Sequence, residues 1–505
     1  MVGQLSPKLY TFLCAVFVAS GAGLFGYDLG VIAYVLAAPD FVKTVDTTNA
    51  NYIGFITSSL LLGAFVGTIP ASYAADALSR RVALTIAGCI FIVGGVIQTS
   101  TQNKEQMMAG RFIAGLAIGQ LGVLVPLYQS EIAHPSNRGQ LTALFQLSLG
   151  IGAFVAGWIG YGCQQGAMGT QIQWRVPLAF QMLPAIPIVL CLFVLPESPR
   201  WLMIKGRPEE ALASLARLHS RGNINDRLVQ AEFATISAKL DEEQEMASRA
   251  WTVIFRDGAN LRKVFYGVVL QFSVQMTGVS AIQYYANTVY SSVGFAKNAL
   301  LINSLNNVNG LAAEALCVLF LDRVGRRPPL IYGNLAASVA FAVATAMAKQ
   351  FATGGGTKGE GYAFVVMIFI YNFVFSFCIG PLSWVYPVEI MNTAVRAKAT
   401  GITTSASWLA NFMIGQVTPK AFDSIGWKYY LVFTICSMTN AIFFYLFFPE
   451  TRGRTLEEMD ELFRTMKLIV PLDKSAERVG KHSREEQLAI AGELKQEVEV
   501  QHEKL

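Results

Sequence analysis

Twelve stretches of the 505-residue chain are apolar for about twenty residues or more at a time, near 12–36, 51–72, 82–100, 107–133, 140–163, 175–195, 263–294, 299–321, 328–350, 362–391, 398–420 and 428–448. A helix rises 1.5 Å per residue, so ~20 such residues match the ~30 Å hydrocarbon core of a bilayer. A barrel strand needs only ~9–11 residues, so these runs read as helices, which satisfy every backbone group within their own segment. Hydrophobic residues make up 53% of the chain and charged residues 14%; soluble domains average ~25% charged. Mean hydropathy is +0.43. A soluble enzyme, a disordered chain and a nucleic-acid binder are all excluded by this balance.

The charges are unevenly placed. Of the 73 charged residues (39 basic, 34 acidic), 44 lie in 196–263 and 449–505. Lys and Arg near span ends set membrane orientation. Arg80, Arg81, Arg138, the eleven basic residues of 196–263, Arg323, Arg326, Arg327, Arg396 and Lys398 all fall on one side. That places both termini and the even-numbered loops in the cytosol. The organisation expected is a six-helix half (1–195), a cytosolic helical insert (196–262), a second six-helix half (263–448) and a cytosolic tail (449–505). Within the insert, 206–250 alternates apolar and charged residues at helical spacing, which predicts short helices. The tail beyond about 466 has no apolar core and reads as disordered or regulatory. The run after Lys8 lacks a small-residue cleavage site and reads as the first span. No histidine falls inside a span, and the seven cysteines show no metal-type spacing.

Internal repetition is the strongest organising signal. Asp76-Ala-Leu-Ser-Arg80-Arg81 follows span 2, and Asp322-Arg-Val-Gly-Arg326-Arg327 follows span 8, 246 residues later. Glu131 and Arg138 recur as Glu389 and Arg396 after 258 residues; Pro196-Glu197 recurs as Pro449-Glu450 after 253. The halves are therefore parallel duplicates, and two such halves facing one another across a central cavity is a transporter design. The acids and bases of each loop set would meet beneath their own half. Charge-assisted pairs that form in one conformation and break in another make a latch; topology-setting positive charge is the plainer reading. The latch set is Asp76, Arg80, Arg81, Glu131, Arg138, Glu197 and Arg200 in the first half, with Asp322, Arg326, Arg327, Glu389, Arg396, Glu450 and Arg452 in the second.

Gly26-Tyr27-Asp28 in span 1, the two Arg-Arg loops, Gly110-Arg111, Pro196-Glu-Ser-Pro-Arg200-Trp201, Gln275 with Tyr284-Tyr285, Gly380-Pro381 with Trp384, and Pro449-Glu-Thr-Arg452-Gly453 stand in this order. Together they resemble the sugar porter family of the major facilitator superfamily, over residues from about 10 to 465 and in a style closest to fungal monosaccharide transporters. The resemblance implies an all-α membrane protein with the major facilitator fold: twelve transmembrane helices in two halves, with cytosolic helices between them.

Charges at bilayer depth are expensive unless paired or hydrated. Asp28 and Arg111 lie at similar depths in spans 1 and 4. An aspartate held by arginine keeps its charge; moved away from it, the carboxylate can take a proton. In proton-coupled members of the family the matching aspartate does this; the plainer reading is a static ion pair. The resemblance also implies a sugar site at Gln146, Gln275, Ser280, Gly380, Trp384, Ser407 and Asn411, with Tyr284 and Tyr285 as outer gate. Val274, Ser280 and Gly310 stand where amides are usual, though Asn309 adjoins Gly310, which predicts a roomy pocket poor in amides unless Gln283, Asn306 and Asn307 compensate. Glu314 follows Gly310 by one helical turn on the same face. Three roles are open to it: substrate contact, a second proton site, or a partner for a basic neighbour. A carboxylate without a role is the plain alternative. Small-residue pairs such as Gly63/Gly67 and Gly115/Gly119 suit close helix crossing within the chain better than dimerisation.

The function expected is import of a hexose or pentose by proton symport across the plasma membrane. An uncoupled facilitator, a polyol or sugar-acid transporter and a non-transporting sensor are the alternatives. The partners expected are a sugar and the lipid bilayer, without nucleic acid, for a monomer with no metal and no cofactor other than the coupling proton. No nucleophile–base set or phosphate-binding loop suggests an enzyme.

Overall fold

The computed structural model describes residues 6–46, 49–133, 138–248, 250–391, 393–452, 456–467 and 469–472. Nearly all of these residues are helical, and among them there is no strand. In the first half, span 1 is Pro7–Leu36, span 2 Ala50–Leu78, span 3 Arg80–Thr99, span 4 Lys104–Ile132 and span 5 Arg138–Gly166. Span 6 is split into Ile172–Phe180 and Ala185–Val194. In the second half, span 7 is broken into Gly258–Gln275, Val279–Tyr284 and Ala286–Ser291, followed by span 8 (Ala299–Val324) and span 9 (Arg327–Ala352). Span 10 runs through Lys358–Val374, a π turn at Phe375–Ile379 and Gly380–Ile390; spans 11 and 12 are Thr393–Ile425 and Tyr429–Phe447.

Nine helical stretches among the described residues are long and apolar enough to cross a membrane, and one of them, Lys398–Phe447, holds spans 11 and 12 together. Span 6 escapes that criterion because its break leaves two short pieces. Span 8 escapes it because Asn303, Asn306, Asn307, Asn309 and Glu314 dilute its apolar character. Span 1 begins earlier than its apolar run, since Ser6 caps it by accepting from the Leu9 N–H and Pro7 occupies the first turn.

Burial runs opposite to that of a water-soluble protein. Large apolar side chains such as Phe193, Leu319 and Tyr332 face outward, while Asp28, Arg111 and Gln129 are buried. Cys14 and Cys317 are buried, but Cys89 is exposed on the outer face of span 3. Most of the apolar core falls into two clusters, one per half; Tyr284, Tyr285 and Trp408 of the second half join the first cluster, and Tyr34 of the first half joins the second. Spans 2 and 4 cross backbone to backbone. A Cβ added to Gly63 would lie 2.2 Å from the Phe112 carbonyl oxygen, and one on Gly119 would lie 2.1 Å from that of Ala64. The small-residue pairs are thus occupied inside the chain.

Between the halves lie helices Pro199–Ile204, Pro208–His219, Arg227–Ser248 and Ala250–Arg256. The third has 22 residues, longer than its alternating pattern predicted. Pro208–His219 docks beneath the first half: the Thr11 hydroxyl donates to the Leu218 carbonyl (2.9 Å) and Ser214 donates to that of Glu197 (2.7 Å). The start of the tail is ordered too. In Leu456–Thr465, Met459, Leu462 and Phe463 are buried, and Asp460 pairs with Lys263 at the base of span 7. The rest of the tail, after 472, lies outside the described residues.

His219 fixes the insert to span 4. Its Nδ1 is 2.8 Å from a Glu232 carboxylate oxygen and its Nε2 is 3.2 Å from the Ile132 carbonyl. Both ring nitrogens therefore face acceptors, which suits the imidazolium form. Burial alone would favour the neutral ring, but the Glu232 carboxylate and the Ile132 carbonyl outweigh it and raise the pKa above 6.5. A raised value means the contact contributes fully below about pH 6.5 and is lost as pH climbs through the folded-state value. Hydrogen-exchange protection across Pro208–His219, with the intrinsic pH dependence of exchange divided out, should therefore be greater at pH 6 than at pH 8.5. In His219→Gln the two values should be equal; a pH contrast of the same size in that variant would remove His219 as the cause.

Candidate functional site

Asp28 and Arg111 meet in the interior of the first half. Arg111 Nη1 donates to Asp28 Oδ1 at 2.9 Å, with side-chain exposures of 1% and 0%. Asp28 Oδ2 and Arg111 Nε have no hydrogen-bond partner. Each buried ion loses several kcal/mol of hydration, which the mutual attraction offsets only when the remaining donors and acceptors are also satisfied. This pair is therefore poorly suited to stabilise the fold. Tyr284, the last residue of the short middle helix of span 7, and Tyr285, just after it, pack into the apolar core of this same half.

A cavity opens between the halves, bounded by spans 5, 7, 8 and 10. Its free volume is about 90 Å³. Gln146 lines it from span 5, Gln283 from span 7, Asn303, Asn306, Asn307, Gly310 and Glu314 from span 8, and Asn372 and Ser376 from span 10. Gln146 Nε2 donates to Glu314 Oε1 across the halves at 3.0 Å. Of the two expectations, a pocket poor in amides and one compensated by Gln283, Asn306 and Asn307, the lining follows the second. Gly310 leaves a gap, but a Cβ there would lie 3.0 Å from Asn372 Nδ2 and 3.3 Å from Ser376 Oγ, so span 10 fills the space. The π turn at Phe375–Ile379 brings Phe375 and Ser376 to that wall. Asn303, Asn372 and Ser376 were not singled out from the sequence. A signal for the first was present, because 303, 306/307, 310 and 314 form one helical stripe.

The other expected sugar contacts gather on the opposite face of Val279–Tyr284. Ser280 donates to Gln275 Oε1 at 2.9 Å, and Gln275 Nε2 donates to Ser407 Oγ at 3.2 Å. The Tyr284 hydroxyl donates to Asn411 Oδ1 (3.1 Å), and that of Tyr285 to the Gly415 carbonyl (2.6 Å). Trp384 lies against Phe145 of the other half with ring centroids 5.5 Å apart. Gly380 is buried where the π turn rejoins the α-helix, and Val274 is buried. At the face opposite the termini the halves are tied together: the Tyr34 hydroxyl is 2.7 Å from Ser304 Oγ, and Ser58 donates to Gln416 Oε1 at 2.9 Å.

At the terminal face the duplicated charges assemble within each half. Arg80 makes a forked contact with Glu131, at 2.9 Å to each carboxylate oxygen. Arg326 and Glu389 repeat it at 2.8 Å. Arg81 Nε is 4.0 Å from Glu197. Glu450 instead accepts the backbone N–H groups of Arg326, Arg327 and Arg452 at 2.9, 3.0 and 2.9 Å. The Arg452 side chain donates to the Arg323 carbonyl, and Arg396 donates to that of Met391. Arg200 opens the helix Pro199–Ile204, capped by Ser198. The side chains of Asp76, Arg138 and Asp322 lie outside the described ones.

Comparison with known proteins gives a consistent picture. The family model described as sugar (and other) transporter matches residues 13–463. The chain is 30% identical to an MFS glucose transporter of Aspergillus flavus, over 97% of this chain and 96% of that one. It is 29% identical to a high-affinity glucose transporter of Kluyveromyces lactis, over 90% and 86% respectively. Among solved structures it is similar to the proton:xylose symporter XylE bound to 6-bromo-6-deoxy-D-glucose, with TM-score 0.75, 26% identity and coverage of 90% and 99%.

Exposure ranks the terminal-face pairs. Arg80 and Glu131 have side chains 5% and 4% exposed, whereas Arg81 and Glu197 are 27% and 16% exposed. Glu131→Ala leaves the buried Arg80 guanidinium without its carboxylate, keeping its bond to the Ala75 carbonyl, and should destabilise the protein by about 3 kcal/mol. Arg81→Ala should cost less than about 1 kcal/mol. Thermal melting of the purified protein in detergent measures both, and equal drops in melting temperature would refute the ranking.

Proposed function

The chain belongs to the sugar transporter family of the major facilitator superfamily, and from that premise we propose that it imports a monosaccharide, hexose or pentose, by proton symport through alternating access. It is a multi-pass membrane transporter and not an enzyme. We place both termini in the cytosol of a cell whose plasma membrane holds the protein, on the distribution of basic loops.

The observation that carries the coupled reading is the buried Asp28–Arg111 pair, with one oxygen and one nitrogen left unpartnered. A proton taken up on Asp28 removes the charge that holds Arg111. Arg111 is then free to reorient within the first half, and the change is passed to span 7 through the first half's apolar core, which Tyr284 and Tyr285 join. XylE, named as a proton:xylose symporter, supports the same reading by likeness. The duplicated charge clusters act as latches that hold the cytosolic ends of spans 3, 4 and 6, and of 9, 10 and 12, as each half rocks.

Sugar binds between the halves, at the amide-rich cavity and the adjoining Gln275, Ser280, Ser407 and Asn411 cluster, with Trp384 offering an aromatic face to its C–H surface. Glu314 in the lining, with no basic side chain beside it among the described residues, disfavours a sugar acid. A second reading, uncoupled facilitation, has one observation in its favour: Asp28 is sealed from water.

Uptake of labelled glucose and xylose into liposomes separates the two. Accumulation above equilibrium only under an inward proton gradient supports symport; equal, non-accumulating uptake with and without it supports facilitation. Asp28→Asn should abolish gradient-driven accumulation while retaining part of the sugar exchange. Accumulation at the wild-type level in that variant would exclude Asp28 as the coupling group.

A further inference from the structure

The cavity between the halves has a polarity that the transport reading leaves unexplained. Four of its amide donors are directed at the protein: Asn303 to the Tyr34 hydroxyl (3.3 Å), Asn307 to the Ala153 carbonyl (3.3 Å), Asn372 to that of Asn306 (2.9 Å) and Gln146 to Glu314 Oε1 (3.0 Å). Several acceptors are left over. Gln146 Oε1, Asn306 Oδ1 and Glu314 Oε2 are buried and have no hydrogen-bond partner. Glu314 is 6% exposed, and no Lys, Arg or His lines the cavity among the described residues. Buried polar atoms are nearly always partnered, so three unpartnered acceptors around one cavity call for a ligand that donates.

The position of the carboxylate is set by a missing side chain. A Cβ on Gly150 of span 5 would stand 1.8 Å from Glu314 Oε2 and 2.9 Å from its Cδ. Glu314 therefore reaches across from span 8 into a notch that only glycine leaves open. Gln146, one turn earlier on span 5, holds the other carboxylate oxygen. The bonded pair leaves Glu314 Oε2 and Gln146 Oε1 as buried acceptors at the seam between spans 5 and 8.

We propose that Glu314, held by Gln146 and seated against Gly150, is a hydroxyl-reading subsite that accepts hydrogen bonds from hydroxyls on adjacent carbons of a pyranose, with Gly150 as its positioning residue. The inference deepens the transport reading and rests on it. A hydroxyl donated to a buried acceptor that otherwise lacks a partner relieves the full desolvation penalty of that acceptor. Sugar recognition at this end of the cavity thus depends on acceptors carried by both halves, Gln146 on span 5 and Glu314 on span 8. Because the pair joins span 5 to span 8, a sugar bound there contacts both halves at once.

The test is the KM for D-glucose uptake into liposomes by wild type, Glu314→Gln, Gly150→Ala, Glu314→Ala and the Gly150→Ala/Glu314→Ala double variant. Glu314→Gln keeps the shape and should raise KM about 10- to 100-fold, with uptake at saturating sugar largely retained. A series of singly deoxygenated glucoses locates the contact: those lacking the hydroxyls read by Glu314 should lose affinity for wild type and lose little more for Glu314→Gln. Gly150→Ala should raise KM in the wild-type background but not in Glu314→Ala, because its effect acts through the displaced carboxylate. Should Gly150→Ala fail to yield folded protein, Glu314→Gln and the deoxy series decide alone. An unchanged KM in Glu314→Gln overturns the subsite while leaving sugar transport intact. A wild type that carries neither D-glucose nor D-xylose overturns the transport reading itself, and the subsite with it.

Discussion

The hydrocarbon core of a bilayer offers no hydrogen-bond partner, so every polar group at that depth must find one inside the protein. The fold follows from this constraint. Outward faces carry Phe193, Leu319 and other large apolar side chains, while polar residues collect at the inter-half cavity, the Asp28–Arg111 pair and the helix ends. Breaks in the helices occur where protein, not lipid, can take up the freed backbone. At the break in span 7, Gly278 adopts φ +93°, and a Cβ there would lie 2.6 Å from the Phe433 ring. Thr277 bonds the Val274 carbonyl at 2.7 Å and lies 3.1 Å from the Tyr371 hydroxyl, so the break is tied to span 10.

Duplication explains much of the rest. Tyr128 donates to the Pro196 carbonyl at 2.7 Å, and Tyr386 repeats the bond to Pro449 at 3.1 Å. The Arg80–Glu131 and Arg326–Glu389 forks are the same device built twice. The departures from symmetry are more informative. Arg81 faces the Glu197 side chain, whereas Arg327 meets Glu450 through its backbone N–H and sends its guanidinium to the Tyr445 carbonyl. The buried Asp28–Arg111 pair belongs to the first half alone among the described residues, and the asparagine-and-glutamate stripe of span 8 to the second. The halves therefore differ where it matters: the first holds a charge pair in its interior, and the second supplies most of the polar lining of the cavity.

The contacts between halves bear on how they move. Tyr34 with Ser304, and Ser58 with Gln416, close the face opposite the termini. The Gln146–Glu314 bond sits deeper, at the cavity. The two hydroxyl and amide bonds are neutral and contribute only ~0.5–1.5 kcal/mol each, so little free energy is needed to exchange them. The Arg80–Glu131 and Arg326–Glu389 forks lie within their own halves, so they need not break when contacts at the seam change.

Twelve apolar runs, the clustering of charge and repeats at matched offsets were enough to read a two-half helical membrane protein from the chain alone, because lipid imposes length and composition on every span. The ordered motifs carried the family. Which polar residues share a cavity was decided by tertiary structure. Sequence position placed Gln146 and Ser280 in one expected site, but the short helix 279–284 divides them, because its break turns Gln283 to the cavity and Ser280 towards Gln275. Asn372 and Ser376 lie in a span with little polar patterning, and only the π turn of span 10 turns that face towards span 8. Glu314 was visible as an unusual acid, but its neighbours were not. Its link to Gln146 spans 168 residues of chain and its seat is the absent side chain of Gly150. A stripe is written along one helix and can be read there, whereas a notch exists only where two helices meet.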